Sequence, residues 1–175
     1  QVQKTEDYTI FNSDGTTKAA YLKQKQHYAL PIRTCSEANL DTFLPILNNF
    51  SKLEAIGEGV AIQILVRTAP SSTQNFISKA IALLKRGAKL PNALAGKPVA
   101  EPKKGETPPV IIVDDESVKT LGQKISKPLF EVNVRLISSA VAPYRAETLL
   151  NNLTGSIAKF AAPNRNEFQT LDPKN

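Results

Sequence analysis

Methionine and tryptophan are absent from the 175 residues, and cysteine and histidine occur once each, as Cys35 and His27. One cysteine excludes a disulfide framework and a multi-cysteine zinc site. One histidine leaves no second imidazole for a metal site or a catalytic triad. His27 and Cys35 could serve as base and nucleophile only if adjacent, yet eight residues of extended chain between them span roughly 26 Å. No apolar run approaches the roughly 18 residues of a membrane-crossing helix. Gly-Lys-Ser/Thr is missing, so the chain has no P-loop, and Gly57-Glu58-Gly59 is too short to cradle a phosphate and carries an anion that repels one. The missing methionine, even at position 1, is expected of a fragment or processed product, with functional elements of a parent protein outside this piece.

What remains is an ordinary globular composition, 41% hydrophobic and 22% charged. A chain of this length buries roughly 70% of its unfolded surface. The 22 Lys and Arg outnumber the 16 Asp and Glu, for a net charge of +6. The excess is local. Lys79, Lys85, Arg86, Lys89, Lys97, Lys103 and Lys104 face a single anion, Glu101, within residues 79–104, and the rest of the chain is neutral. Residues 87–109 hold five prolines and three glycines, the composition of a long loop or linker. This basic window is either a solvated insertion or an arm that contacts nucleic acid, anionic lipid or an acidic partner. Bases stack on aromatic rings, and near this window the sequence offers only Phe76, on an inward helix face.

Periodicity places elements on both sides of the window. Residues 8–11 read as a short strand, Asn12-Ser13-Asp14-Gly15 as a turn, and 16–24 as the returning strand of a hairpin. Residues 28–33 form a third strand candidate, set at an edge or irregularity by Pro31. Asp41 caps a helix to about residue 53, with Pro45 in its first turn. Residues 60–67 (VAIQILVR) are apolar on both faces and read as a central strand covered on both sides. A helix capped by Ser71, Ser72 or Thr73 runs to about residue 86. Residues 110–113 are a short strand or a docked loop. Asp114 or Asp115 opens a helix to about 127, and the acidic triplet 114–116 suits its N-terminus better than it suits a magnesium ion. Residues 129–138 alternate as a long strand, Pro143 starts a helix through about Phe160, and 164–171 is a last short strand. Arg33, Arg67 and Arg135 punctuate strands, where they gather an anion if the strand ends cluster and otherwise pair with acids or face solvent.

Leu47-Asn48-Asn49-Phe50 and Leu150-Asn151-Asn152-Leu153 occupy matching places in two strand–helix–strand halves, about 8–86 and 110–171, joined by the basic loop 87–109. The expected fold is α+β: a mostly antiparallel sheet with helices on one face, built as a duplicated, split β-α-β (ferredoxin-like) layout. Two extra helices and the long Pro/Gly-rich loop complete one domain over 1–175. Asn49-Phe50-Ser51 and Asn152-Leu153-Thr154 match the glycosylation pattern but fall inside helices.

Three groups of segments carry a family resemblance. They are Tyr28-Ala29-Leu30-Pro31-Ile32-Arg33-Thr34; Phe50-Ser51-Lys52-Leu53 with Gly57-Glu58-Gly59-Val60-Ala61-Ile62-Gln63-Ile64-Leu65-Val66-Arg67; and Lys124-Ile125-Ser126-Lys127-Pro128-Leu129-Phe130-Glu131-Val132-Asn133-Val134-Arg135 with Arg145-Ala146-Glu147. Together they resemble a domain of the TraG/TraD-like, coupling-type ATPases of conjugative transfer and type IV secretion, N-terminal to the P-loop motor. Ala55-Ile56 and Thr68-Ala69-Pro70 depart from the usual pattern. The resemblance implies a non-catalytic accessory or assembly domain without cofactor or metal. It would work with other subunits or domains of a secretion or conjugation machine, on the cytoplasmic side of the bacterial inner membrane. The family's catalytic motifs have no counterpart here, so no catalytic residue carries over. The alternative is a nucleic-acid-binding module that uses the basic window 79–104.

Overall fold

A computed structural model describes residues 9, 11–34, 41, 43–53, 57–98, 111–162 and 165–173. Four strands form one sheet: β1 (Thr16–Gln24), β2 (Gly59–Thr68), β3 (Phe130–Ala140) and β4 (Phe168–Leu171). Their order is β2-β3-β1-β4 and every neighbouring pair is antiparallel. The chain is therefore α+β with an antiparallel sheet. β3 and β1 are the central strands, and β2 and β4 the edges.

Helix α1 (Leu44–Phe50) lies between β1 and β2 in the chain, and α5 (Pro143–Ile157) between β3 and β4. Pro143 stands at the start of α5, where its missing N–H costs nothing. The inward stripe Ala146, Leu149, Leu150, Leu153 and Ile157 packs on Ala20, Val60 and Leu136 of one sheet face. Ser138 ties strand to helix by donating to the Ala146 carbonyl at 2.7 Å. The matching Leu-Asn-Asn segments meet here. Buried Asn49 donates from Nδ2 to the Pro45 and Asn152 carbonyls, each at 3.1 Å. Glu58, nearly buried, takes Arg145 in a bidentate pair at 2.5 and 2.9 Å, which fixes the entry to β2 against the start of α5.

A second core lies apart from that sheet face. Helices α2 (Ser71–Lys85), α3 (Leu90–Leu94) and α4 (Asp115–Ile125) enclose Ile77, Ala80, Leu84, Ala88, Ala93 and Leu121 together with Ala29 and Leu30. Asp114 caps α4 by accepting from the Ser117 N–H at 3.0 Å.

The join between the two cores is the turn after β1. Residues 26–31 belong to no strand, and the isolated bridge between Ile32 and Asn166 comes only after them, so their backbone groups must be paired some other way. Fully buried Asn166 does much of it. Its Oδ1 accepts from the N–H groups of Gln26 (2.9 Å) and Glu167 (3.0 Å), and its Nδ2 donates to the carbonyls of Gln26, His27 and Leu30 at 3.2, 3.0 and 3.4 Å. Its own N–H donates to the Pro31 carbonyl at 2.8 Å. From α4, the Lys124 ammonium donates to the carbonyls of Tyr28 and Leu30.

Several sequence expectations change. Residues 28–33 form no strand: they turn at 28–30, bury Ala29 and Leu30 while Tyr28 stays exposed, and keep only the single bridge at Ile32, because Pro31 cannot ladder and the Leu30 carbonyl is taken by Asn166 and Lys124. The hairpin partner expected at 8–11 is not found: Tyr8 and Ile10 lie outside the described residues, Phe11 is exposed and in no strand, and β1 pairs instead with β3 and β4. The Asn12–Gly15 turn is present, and Gly15 is needed there, since a Cβ would stand 2.4 Å from the Ala140 carbonyl oxygen. Asp41 does accept from the Phe43 and Leu44 N–H groups, but the helix it precedes covers only Leu44–Phe50. Pro70, not a hydroxyl side chain, precedes α2. The expected loop 87–109 is ordered in its first part, where α3 forms and Ala88 and Ala93 enter the second core. Residues 110–113 make no strand among the described residues, and Ile111 sits against Gly87.

The largest change concerns β2. It is an edge strand, not a covered central one. Its first residues lie under the helices, but Ile64, Leu65 and Val66 are about half exposed. The fifteen-residue α5 lies across β3 and β1, and on the β2 side the layer is seven-residue α1, about 10 Å long against about 33 Å for ten strand residues, so the outer half of β2 is left uncovered.

Asn166 makes a sharp prediction. Asn166→Ala strands several buried polar groups at about 1–3 kcal/mol each, and a urea melt should lose at least about 2 kcal/mol. Asn166→Asp replaces two donors by an acceptor aimed at carbonyls. It should be worse than Ala at pH 7, with the gap closing as acid protonates the buried carboxyl. Equal stability of all three proteins would show that the turn does not depend on this amide.

Candidate nucleic-acid interface

The basic window lies on the second core. Lys79 and Lys85 project from α2, Arg86 follows its last turn, Lys89 precedes α3, and Lys97 follows it; all five are exposed. None of them forms an ion pair with a described residue. Lys103 and Lys104 lie outside the described residues. From Gly59 to Ala100 the sequence holds no acidic residue, so α2 and α3 carry charge of one sign.

Phe76, Lys79, Leu83 and Arg86 recur at helical spacing and form one stripe of α2. With Ala80, Ala93 and Gly96 they line a shallow concavity of about 300 Å³, with an apolar floor and cations along its rim. Gly87 (φ 87°) turns the chain back after α2, so that α3 can form the opposite wall.

The structure adds residues that the sequence reading did not connect to this site. His27 stacks on Tyr28 with ring centroids 4.4 Å apart and on Phe76 at 5.3 Å, and Tyr28 lies 5.7 Å from Phe76. Three rings thus gather beside the cationic stripe. Phe76 alone was visible as an aromatic near the window, because His27 and Tyr28 are about fifty residues away along the chain. Only the turn held by Asn166 brings them over. The charge imbalance of the window 79–104, seven cations against Glu101, was the signal for the cations; no local pattern signalled the rings.

Two titratable groups in this region are committed to structure. Burial, and secondarily the Lys124 charge, push the His27 imidazole below its usual value, and its Nδ1 accepts the Ala29 N–H at 3.2 Å. Burial lowers the half-buried Lys124 amine to about 8. Cys35 lies outside the described residues. Arg33, Arg67 and Arg135 are not brought together. Arg67 pairs with Glu131 at 2.5 Å, Arg135 lies 5.4 Å over the Tyr21 ring and 3.4 Å from Gln63 Oε1, and the Arg33 backbone bonds Phe160 beside the bridge to Asn166. The acidic residues 114–116 sit at the start of α4, where the Ser117 bonds hold the Asp114 carboxyl below its usual range. No helix among the described residues is long and apolar enough to cross a membrane. Comparison of the sequence with family profiles and curated proteins, and of the fold with solved structures, gives no match.

The Lys124 amine sets a pH dependence. Unfolded, it keeps its proton up to about 10.5, whereas folded it loses it at about 8. Between these values the unfolded chain holds more protons, so this group makes stability rise with pH. Urea midpoints measured from pH 7.5 to 9.5 should show a rise that Lys124→Met removes. An unchanged profile in the variant would mean that the amine is not desolvated by the turn.

Proposed function

We propose that this chain is a non-catalytic binding domain that holds a single strand of nucleic acid on the His27–Tyr28–Phe76 rings and the α2–α3 cations. The observation that carries the reading is the juxtaposition of three clustered rings, His27 stacked on both Tyr28 and Phe76, with the exposed Lys79, Lys85, Arg86, Lys89 and Lys97 of an acid-free run from 59 to 100. Backbone phosphates are attracted by such a surface whatever the sequence, and bases stack on such rings. The shallow, open concavity suits a strand lying across it better than a small molecule, which binds where most of its surface is enclosed. The commitment of His27 and Lys124 to structural bonds also favours binding over catalysis.

The setting follows from the family resemblance: an accessory and assembly domain of a conjugative DNA-transfer or type IV secretion ATPase, on the cytoplasmic side of the bacterial inner membrane. There the domain would touch other subunits of the machine as well as the transferred strand, while the motor supplies the chemistry.

Charge substitution is a cleaner test than removal of the loop, because Ala88 and Ala93 belong to the core. Anisotropy with a labelled 12-nucleotide oligothymidine should show affinity falling with salt, with a slope of about −0.7 per phosphate neutralised. Lys79→Gln with Arg86→Gln should flatten that slope by about 1.4. Tyr28→Ala should weaken binding roughly tenfold at an unchanged slope, because stacking is worth about 1–3 kcal/mol per base. Absence of binding at 50 mM salt, or a slope indifferent to both cations, contradicts the site. Separately, the purified chain should hydrolyse no ATP above a buffer blank; clear turnover contradicts the non-catalytic reading.

A further inference from the structure

The two edges of the sheet differ. β4 is four residues long, which protects an edge by brevity, but β2 offers ten residues without a proline or lysine in the strand. Its one charge, Arg67, is neutralised within the chain by Glu131. The outer half of β2 and the start of β3 run past the helices as a bare ribbon. On the face that continues the core, Ile64 pairs with Val134, Val66 with Val132 and Thr68 with Phe130. Ile64, Val66, Val132 and Phe130 are each more than half exposed. An apolar, unblunted edge of this kind is a template for another strand.

We infer that β2 pairs antiparallel with β2 of a second copy of this chain, about a two-fold axis at Ile64, to give an eight-stranded sheet. A symmetric interface must be self-complementary, and this strand is. The axis sets Ile64 against its symmetry mate and Ile62 against Val66, extending one apolar face across both copies. On the other face it sets Gln63 against Leu65 and Ala61 against Arg67, so no like charges oppose each other. The overall charge also favours the antiparallel choice. α2, with its cations, begins three residues after β2 ends. The two Thr68 residues lie about 27 Å apart in this arrangement, four residues of roughly 3.4 Å on each side of the axis. That is several times the screening length of about 8 Å. A parallel pairing would bring the two basic surfaces together.

Sedimentation of the full chain over a concentration series should show a monomer–dimer equilibrium. Ile64 is exposed, so substitutions there spare the core. Ile64→Lys should weaken the dimer at least tenfold by opposing two cations, and so should Ile64→Glu by opposing two anions. An equimolar mixture of the two should recover dimer as the mixed pair, an outcome that a misfolded variant cannot give. In a Cys35→Ser background, Ile64→Cys should oxidise to a covalent dimer, because facing Cα atoms in an antiparallel pair stand about 4.5–5.5 Å apart, within disulfide reach. A chain that stays monomeric at millimolar concentration overturns the inference. So does a dimer indifferent to both charge variants, or a mixture that fails to reassociate.

Discussion

The fold depends on how one turn is satisfied. Residues 26–31 leave the sheet with no ladder to join, sending Ala29 and Leu30 into the interior while Tyr28 stays exposed. Their backbone groups are paired by two side chains from distant parts of the chain. Asn166 comes from the approach to β4, and Lys124 from α4. Both act on the Leu30 carbonyl, so the sheet unit and the helical unit are bonded to the same atom. The Ala29 and Leu30 side chains point the other way, into the second core. The turn therefore works as a joint. An amide fully occupied on both its oxygen and its nitrogen is specific to one geometry, since any slip in register would orphan buried groups.

The candidate binding surface inherits its shape from that joint. α2 and α3 supply the cations, but only the turn brings His27 and Tyr28 against Phe76. Sheet and helices thus divide the work. The sheet, with α5 across one face, is a scaffold neutral in charge. The second core carries the concentrated positive charge and the rings. Lys124, desolvated inside the joint, contributes to geometry and not to the exposed cationic surface. The outer edge of β2 is formed by residues other than those rings and cations, so the two candidate surfaces share no residue.

Much of this was legible in the residues. The alternation across 129–138, the stripe in 143–160, Pro143 at a helix start and Asp114 as a cap are local signals, and local signals carry when each residue's environment follows from its neighbours in sequence. The α+β class with an antiparallel sheet, expected from the order of strand and helix signals, is the one the chain adopts. What could not be read was set by distant contacts. β2 is apolar on both faces, which in sequence signifies cover on both faces; that the helix layer stops short of its outer half depends on the relative lengths of elements in space. Residues 28–33 have strand composition, yet their carbonyls are claimed by residues about a hundred or more positions away. The rings escaped notice for the same reason, being assembled by the joint and not by spacing. Ala88 and Ala93 hid in a window whose prolines and glycines suggested a free loop.

The turn is a structural joint and not a surface loop. Native-state hydrogen exchange reads this directly at three amides: Gln26, bonded to Asn166 Oδ1; Leu30, bonded to the His27 carbonyl; and Asn166, bonded to the Pro31 carbonyl. The account predicts that all three are protected to the level of the β1–β3 ladder and exchange only with global unfolding. Exchange at the rate of an open loop, with β1 and β3 still protected, would contradict it.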